Sequence, residues 1–366
     1  MQFREKVSFV DRYVCFNELV YLPDYHAFWL AQGAEAALLF EDGHLQVINN
    51  EKLQHLTSWR RSVLMQGKTI WQCSHSGLYQ IDLQQTDFNT AFTNLKRQTG
   101  FRDILRFGEE LYFSCQDGVL PFRQKDKREP APILPASMSS AVDPQGRLWA
   151  GNHTRLYSYA PASKAVEGFN VPLHEIWSLY ADTTGRLWMS ELGLYRFDPA
   201  SGVTEKISIS SFPELDNATV YHFYEAHPDS VWLCSTAGLY LLNPYSGAIQ
   251  RYAPNEEGRF KLHARDVRHV YHDKSANVFW LATAGRGLIR WDRSTNESES
   301  IFFKGEKSLV LHSVYADADG ILWLSSEQGI IQYDPQEGHS RIYTTRDGLN
   351  TNEFNRIAHF QDEDGR

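Results

Sequence analysis

Residues 182–198 read DTTGRLWMSELGLYRFD, and residues 317–334 read DADGILWLSSEQGIIQYD. Both run from an acid through a tight turn to Gly, then to a Leu-Trp pair, a small residue, and a second Gly that restarts an alternating run ending in Asp. A phrase that returns within one chain makes the period the first quantity to measure, because a period of tens of residues decides the architecture. With the Trp as marker, the copies fall at Trp29, Trp71, Tyr112, Trp149, Trp188, Trp232, Trp280 and Trp323, an aromatic substitute standing in the third. Successive spacings are 42, 41, 37, 39, 44, 48 and 43 residues.

Each copy parses into four short strands. In the fifth, HEIWSLYAD (174–182), RLWMS (186–190), GLYRFD (193–198) and VTEKISIS (203–210) alternate in the strand sense, with turns at TTG and PASG. Asp opening and Gly closing DPQG (143–146), DTTG (182–185) and DADG (317–320) suit hairpin turns. Two residues past each marker, on the same strand face, stand Ala31, Cys73, Ser114, Gly151, Ser190, Cys234, Ala282 and Ser325, all small. Sheets packed face to face around an axis need such a shallow position beside a large aromatic. Four strands per copy predict an all-β fold, a β-propeller of seven to eight four-stranded blades in a single domain over 1–366, with an incomplete ninth repeat beginning near 355.

Composition agrees with many short strands. Of 366 residues 13% are aromatic, Gly (24) and Pro (14) recur throughout, and no apolar run is long enough to span a bilayer. Helical periodicity is confined to 83–100, which reads as a short helix or a loop. The formal net charge of -9, without a basic cluster, argues against nucleic acid as a partner. Cys15, Cys73, Cys115 and Cys234 are scattered, so neither a disulfide framework nor a zinc site is implied, and no metal or other cofactor is expected. Cys73 and Cys234 read as small apolar fillers.

The unit D-x-x-G-x-L-W-hydrophobic-small, followed by G-L and an aromatic-Asp ending, resembles the two-component regulator propeller repeat; copies 5 to 8 match it closely. The stretch DGLNTNEF (347–354), with Asp347, Gly348, Leu349, Asn352, Glu353 and Phe354, resembles the joint before the final repeat in that family. The resemblance implies a ligand-sensing, periplasmic or otherwise extracytoplasmic region of a bacterial inner-membrane signalling protein. A small molecule or oligosaccharide would be its ligand and a kinase or cyclase its output domain, and a homodimer is allowed for. Because the pattern stops at Arg366 within a repeat and Met1 opens close to strand-like text, the chain reads as a fragment cut at the C-terminus and at the N-terminus, with no signal peptide of its own.

Loops between second and third strands share one rim with the links between blades, and recognition is expected there. They offer His75, Asn152, His153, Arg155, Glu191, Thr236, Arg286, Glu327 and Gln328, whose plainer reading is that of solvated loop residues. On the first strands, Ser139, Ser178, His269 and Ser313 stand four residues before an Asp, and His222 takes the matching place in copy 6. His222 and His269 are therefore expected to line a central channel, bonding to neighbouring backbone rather than to metal. Strand alternation would turn His359 to the opposite face. The turn acids Asp143, Asp182 and Asp317 read as turn caps, since the calcium-loop spacing is absent. No nucleophile elbow, zinc-protease helix or phosphate loop occurs, so the reading is not an enzyme; a protein-binding scaffold is the runner-up, ahead of a propeller lyase or lactonase.

Overall fold

The repeated unit folds as its alternation requires. The computed structural model describes residues 18–361 apart from 23–25, 33–34, 42, 44, 49–62, 67–68, 75–76, 83–99, 109, 123–129, 136, 209, 253–261, 263, 304–308, 348 and 350. The chain divides into two compact units, Met1–Asp87 and Phe88–Arg366. The first holds a four-stranded sheet over 18–48 and a three-stranded sheet over 63–82. The second holds a three-stranded sheet over 101–122 and four-stranded sheets over 139–170, 178–207, 220–252, 267–301 and 311–343. All are antiparallel with their strands in chain order, and they are called blades 1 to 8 below. All eight marker aromatics lie on the second strand of their blade.

Copies 2 and 3, expected to have four strands, show three among the described residues. In blade 3 an isolated bridge takes the outer place: the Val119 N–H donates to the Leu134 carbonyl at 3.1 Å, and the Ile133 N–H to the Val119 carbonyl at 2.9 Å. The stretch 83–99, read as helix or loop, lies outside the described residues.

Inter-blade packing explains the strictness of the second strand. Trp149 is buried with Leu187, Met189 and Phe197 of the next blade, and Trp188 with Val231 and Leu233. Trp232 packs with Phe279 and Leu281, and Trp280 with Leu322 and Leu324. Each of these four markers thus fills the gap to its successor, a burial worth on the order of 3 kcal/mol per aromatic. The small residue beside it is equally constrained: a Cβ on Gly151 would stand 2.9 Å from the Ile176 side chain. Cys234 and Ala282 are fully buried in these seams, as fillers. The restarting Gly has its own reason at Gly329, where φ is +129° and a Cβ would meet the Tyr343 carbonyl oxygen at 2.0 Å.

The turn acids do more than cap turns. Asp182 Oδ1 accepts the backbone N–H groups of Thr184 (2.9 Å) and Arg186 (3.1 Å), while Oδ2 accepts the indole N–H of Trp188 at 2.9 Å. Asp143 holds Trp149 in the same way at 2.8 Å, and Asp317 holds Trp323 at 2.8 Å. The acid ties the hairpin turn to the aromatic six residues on, which is why those two letters travel together in the repeat.

Within the second unit the first strands stand side by side in order: Phe101–Phe107, Ser139–Val142, Ser178–Ala181, Val220–His227, Val267–Asp273 and Leu311–Ala316. Residues 354–361 then bridge the last of these to the first. The Phe354 N–H donates to the Ser326 carbonyl at 3.3 Å, the Gln361 side chain to the Ala316 carbonyl at 2.6 Å, and Asn355 Nδ2 to the Phe101 carbonyl at 3.0 Å. Six blades and this segment close a seven-station circuit.

Candidate functional site

Two first strands of that circuit, Ser139–Val142 and Ser178–Ala181, are short and begin on serine, which leaves space beside them along the axis. Hydroxyls there stitch neighbouring blades: Ser139 Oγ donates to the Ile176 carbonyl at 3.0 Å, and Ser178 Oγ to the Val220 carbonyl. Ser190 Oγ accepts the Val220 N–H at 2.7 Å. Ser139 and Ser178 thus bond neighbouring backbone, whereas Ser313 Oγ lies 2.7 Å from Ser325 Oγ in its own blade.

The space that remains is a cavity of ≈ 230 Å³. Aromatic walls come from Trp177, Tyr180, Tyr221, Phe223, Tyr315 and Phe360, and polar groups from Asp103, Ser140, Ser178, His222 and His359. Asp103 accepts the Ser140 N–H at 2.6 Å, the Ser140 hydroxyl at 2.8 Å and the Ile104 N–H at 2.8 Å. Burial nevertheless outweighs these donors and pushes its carboxyl up to about 7. Burial also raises the Tyr180 and Tyr315 phenols, so both remain protonated donors at neutral pH.

Three imidazoles meet at the wall. Ring centroids of His222 and His269 are 4.2 Å apart, those of His269 and His359 4.5 Å, and those of His222 and His359 5.8 Å. His269 is 1% exposed; its Nδ1 accepts the Val314 N–H at 3.3 Å, and Tyr315 Oη lies 2.9 Å from His359 Nδ1. Burial lowers His222 to about 4, His359 to about 3 and His269 well below its ordinary value, so all three rings are neutral at pH 7. His222 is among the residues that line the cavity. His359 does not turn away as alternation suggested: residues 354–361 form no regular strand, so the two-residue period does not apply and the ring swings inward.

Four rim candidates, Glu191, Thr236, His153 and Glu327, join one loop to another, and Asn152, Arg155 and Gln328 make contacts within their own hairpin. Glu191 Oε2 accepts the His174 N–H at 3.0 Å, and Thr236 Oγ1 accepts the Thr219 N–H at 3.1 Å. His153 Nδ1 lies 3.2 Å from the His174 carbonyl, and the Arg155 guanidinium sits 5.7 Å over the Tyr157 ring. The Asn152 N–H donates to the Arg155 carbonyl at 3.0 Å, Glu327 N–H to the Val310 carbonyl at 3.3 Å, and Gln328 N–H to Ser326 Oγ at 3.1 Å. Arg286 is exposed, and His75 lies outside the described residues. His222 is the sequence candidate found among the cavity's lining residues. Asp103 and the inward aromatics went unnoticed because single polar or aromatic letters on a strand carry no periodic mark; the Ser-to-Asp register of the first strands was the signal that pointed to this wall.

Beside the cavity, Arg268 stacks 4.2 Å over Tyr221 and pairs with Asp266 at 2.7 Å. Burial lowers the neighbouring His312 to about 4, helped by Arg268 and Arg356.

No family model matches the chain. In sequence it is 26% identical over 225 residues to histidine kinase P4 of Formosa agariphila, covering 57% of this chain and 16% of the kinase. Among solved structures, the extracellular domain of a hybrid two-component system from B. thetaiotaomicron aligns over 92% of this chain and 52% of its own length, at 15% identity and TM-score 0.43. Virginiamycin B lyase from Staphylococcus aureus aligns over 68% of this chain and 86% of its own, at 12% identity and TM-score 0.53, a likeness of fold. The chain thus spans about a sixth of the kinase and about half of the extracellular domain. Repeat text and four-stranded blades keep the resemblance to the two-component regulator propeller repeats, and a histidine kinase is among the chain's relatives in sequence.

Proposed function

We propose that this chain is an extracytoplasmic sensor region whose ligand, a small molecule or oligosaccharide, enters the axial cavity of the second unit, and that binding is relayed to an output signalling domain elsewhere in the full-length protein. The observation that carries this is the cavity's lining: aromatic faces for the apolar side of a sugar ring or metabolite, beside carboxyl, hydroxyl and imidazole groups that bond its polar edge. The kinase relative supports the signalling context. The reading is one of binding without turnover, in which Asp103 and the serines orient the ligand.

The full chain, screened by thermal shift and calorimetry against mono- and oligosaccharides and small metabolites, is expected to give a hit that Phe360→Ala weakens by about tenfold or more. A hit unaffected by Phe360→Ala but lost in Glu191→Ala or Arg286→Ala moves the site to the rim. Product formation in the same screen makes the chain an enzyme, and silence toward small ligands with capture of a defined protein partner makes it a scaffold.

A further inference from the structure

We propose that His222, His269 and His359 form a site for a divalent transition-metal ion of the zinc class, with its open coordination position facing the axial cavity. The three rings come from three different stations of the circuit, and one nitrogen from each lies within 4.8 Å of the others. Nitrogens on a tetrahedral zinc ion stand about 3.3 Å apart for bonds of about 2.0 Å, so the rings would close by at most about 1.5 Å on binding. Three neutral imidazoles with no carboxylate among them select zinc, cobalt, nickel or copper over magnesium or calcium.

Neighbouring groups support the assignment. Burial keeps the rings unprotonated, as a ligand must be. Tyr315 Oη, 2.9 Å from His359 Nδ1, accepts the proton of that nitrogen in the tautomer that frees Nε2 for a metal, the usual outer-sphere arrangement of a ligating histidine. Against it stands the Val314 N–H, which at 3.3 Å makes His269 Nδ1 an acceptor and leaves the proton on Nε2. For metal capture through Nε2 the ring takes its other tautomer, the proton leaving Nε2 and a proton being bound at Nδ1, so the long hydrogen bond from the Val314 N–H is given up for a metal–nitrogen bond. The fourth position then opens on a cavity of ≈ 230 Å³, room enough for water or for one donor atom of a ligand.

The test uses the full chain, stripped with chelator and titrated with zinc chloride alone, so that it stands independently of any organic ligand. Calorimetry is expected to show one ion per chain, and the melting temperature to rise by roughly 4 °C at a hundredfold excess over Kd. His222→Gln, His269→Gln and His359→Gln are each expected to weaken binding by about a hundredfold. Should those variants misfold, cobalt added to the unaltered chain decides: intense visible bands of a tetrahedral site support the proposal. Absence of heat and of those bands overturns it, as does zinc binding that survives in the folded triple variant, which would assign the ion to exposed histidines such as His227 and His339. In either case the rings serve only to bond one another and the backbone.

Discussion

Blades 4, 5 and 8 hold their marker tryptophan by a turn acid, buried in blades 4 and 5 and half-buried in blade 8, whereas blades 6 and 7 do without one. Where Asp143, Asp182 and Asp317 stand six residues before the Trp, the carboxylate grips the turn and the indole together. Blade 6 has Ala226 at that place, and blade 7 has one residue more between Asp273 and Trp280, so Asp273 caps Ser275 and Ala276 instead. Their shared seam is filled by aromatic contact: Trp232 lies 5.1 Å from Phe279 and 5.7 Å from Trp291, and the Arg293 guanidinium sits 4.1 Å over Trp291 and 4.8 Å over Trp232. One backbone plan therefore tolerates two kinds of glue, and the six-residue spacing from Asp to Trp recurs in blades 4, 5 and 8, where the first is used.

That contrast breaks most sharply at Asp182, which is 1% exposed. Asp182→Ala orphans the indole and turn donors together and is expected to cost about 3 kcal/mol in urea unfolding. A cycle with Trp188→Phe should return a coupling of about 1–2 kcal/mol; additivity would mean that acid and indole act separately. Arg293→Ala is expected to cost less, about 1–2 kcal/mol, since its role is shared among several rings, and Arg293→Lys should recover only part of it.

A third kind of buried acid sharpens the comparison through pH. Asp103 has a folded value raised above its unfolded one, so its contribution to stability is full below about 4 and is lost as pH rises through about 7. Asp103→Asn should therefore gain on the unaltered chain as pH rises from 4 to 7, by on the order of 2 kcal/mol, and gain nothing further above that range. His312 runs the other way: its depressed value means stability present above about 6.5 and lost as pH falls toward 4. His312→Asn should gain on the unaltered chain as pH falls through that window, and parallel pH profiles for variant and unaltered chains would remove either group from the account.

The blades were readable from the sequence because a strand's two-residue alternation and a packing Trp are local, repeated marks. All eight markers were found by spacing alone. The six-residue spacing from Asp to Trp is legible too, but a turn acid has enough local donors to explain it, and the indole bond shows only in the folded hairpin. His359 was misplaced for the opposite reason: alternation was extended into residues 354–361, which follow the circuit without forming a strand. Asp103 and the Arg293 stack had no repeated signal, since each exists in one copy and depends on neighbours from other blades.

The bond from Asn355 to Phe101 joins positions 254 residues apart, and its consequence belongs to the order of folding. Hairpins within each blade are local and are expected to form early, with closure across so long a loop expected late. His359 arrives with that closing segment, so the imidazole cluster comes into being only when the circuit shuts. Whatever binds there acts as a clasp, slowing reopening of the ring far more than it speeds formation of any blade.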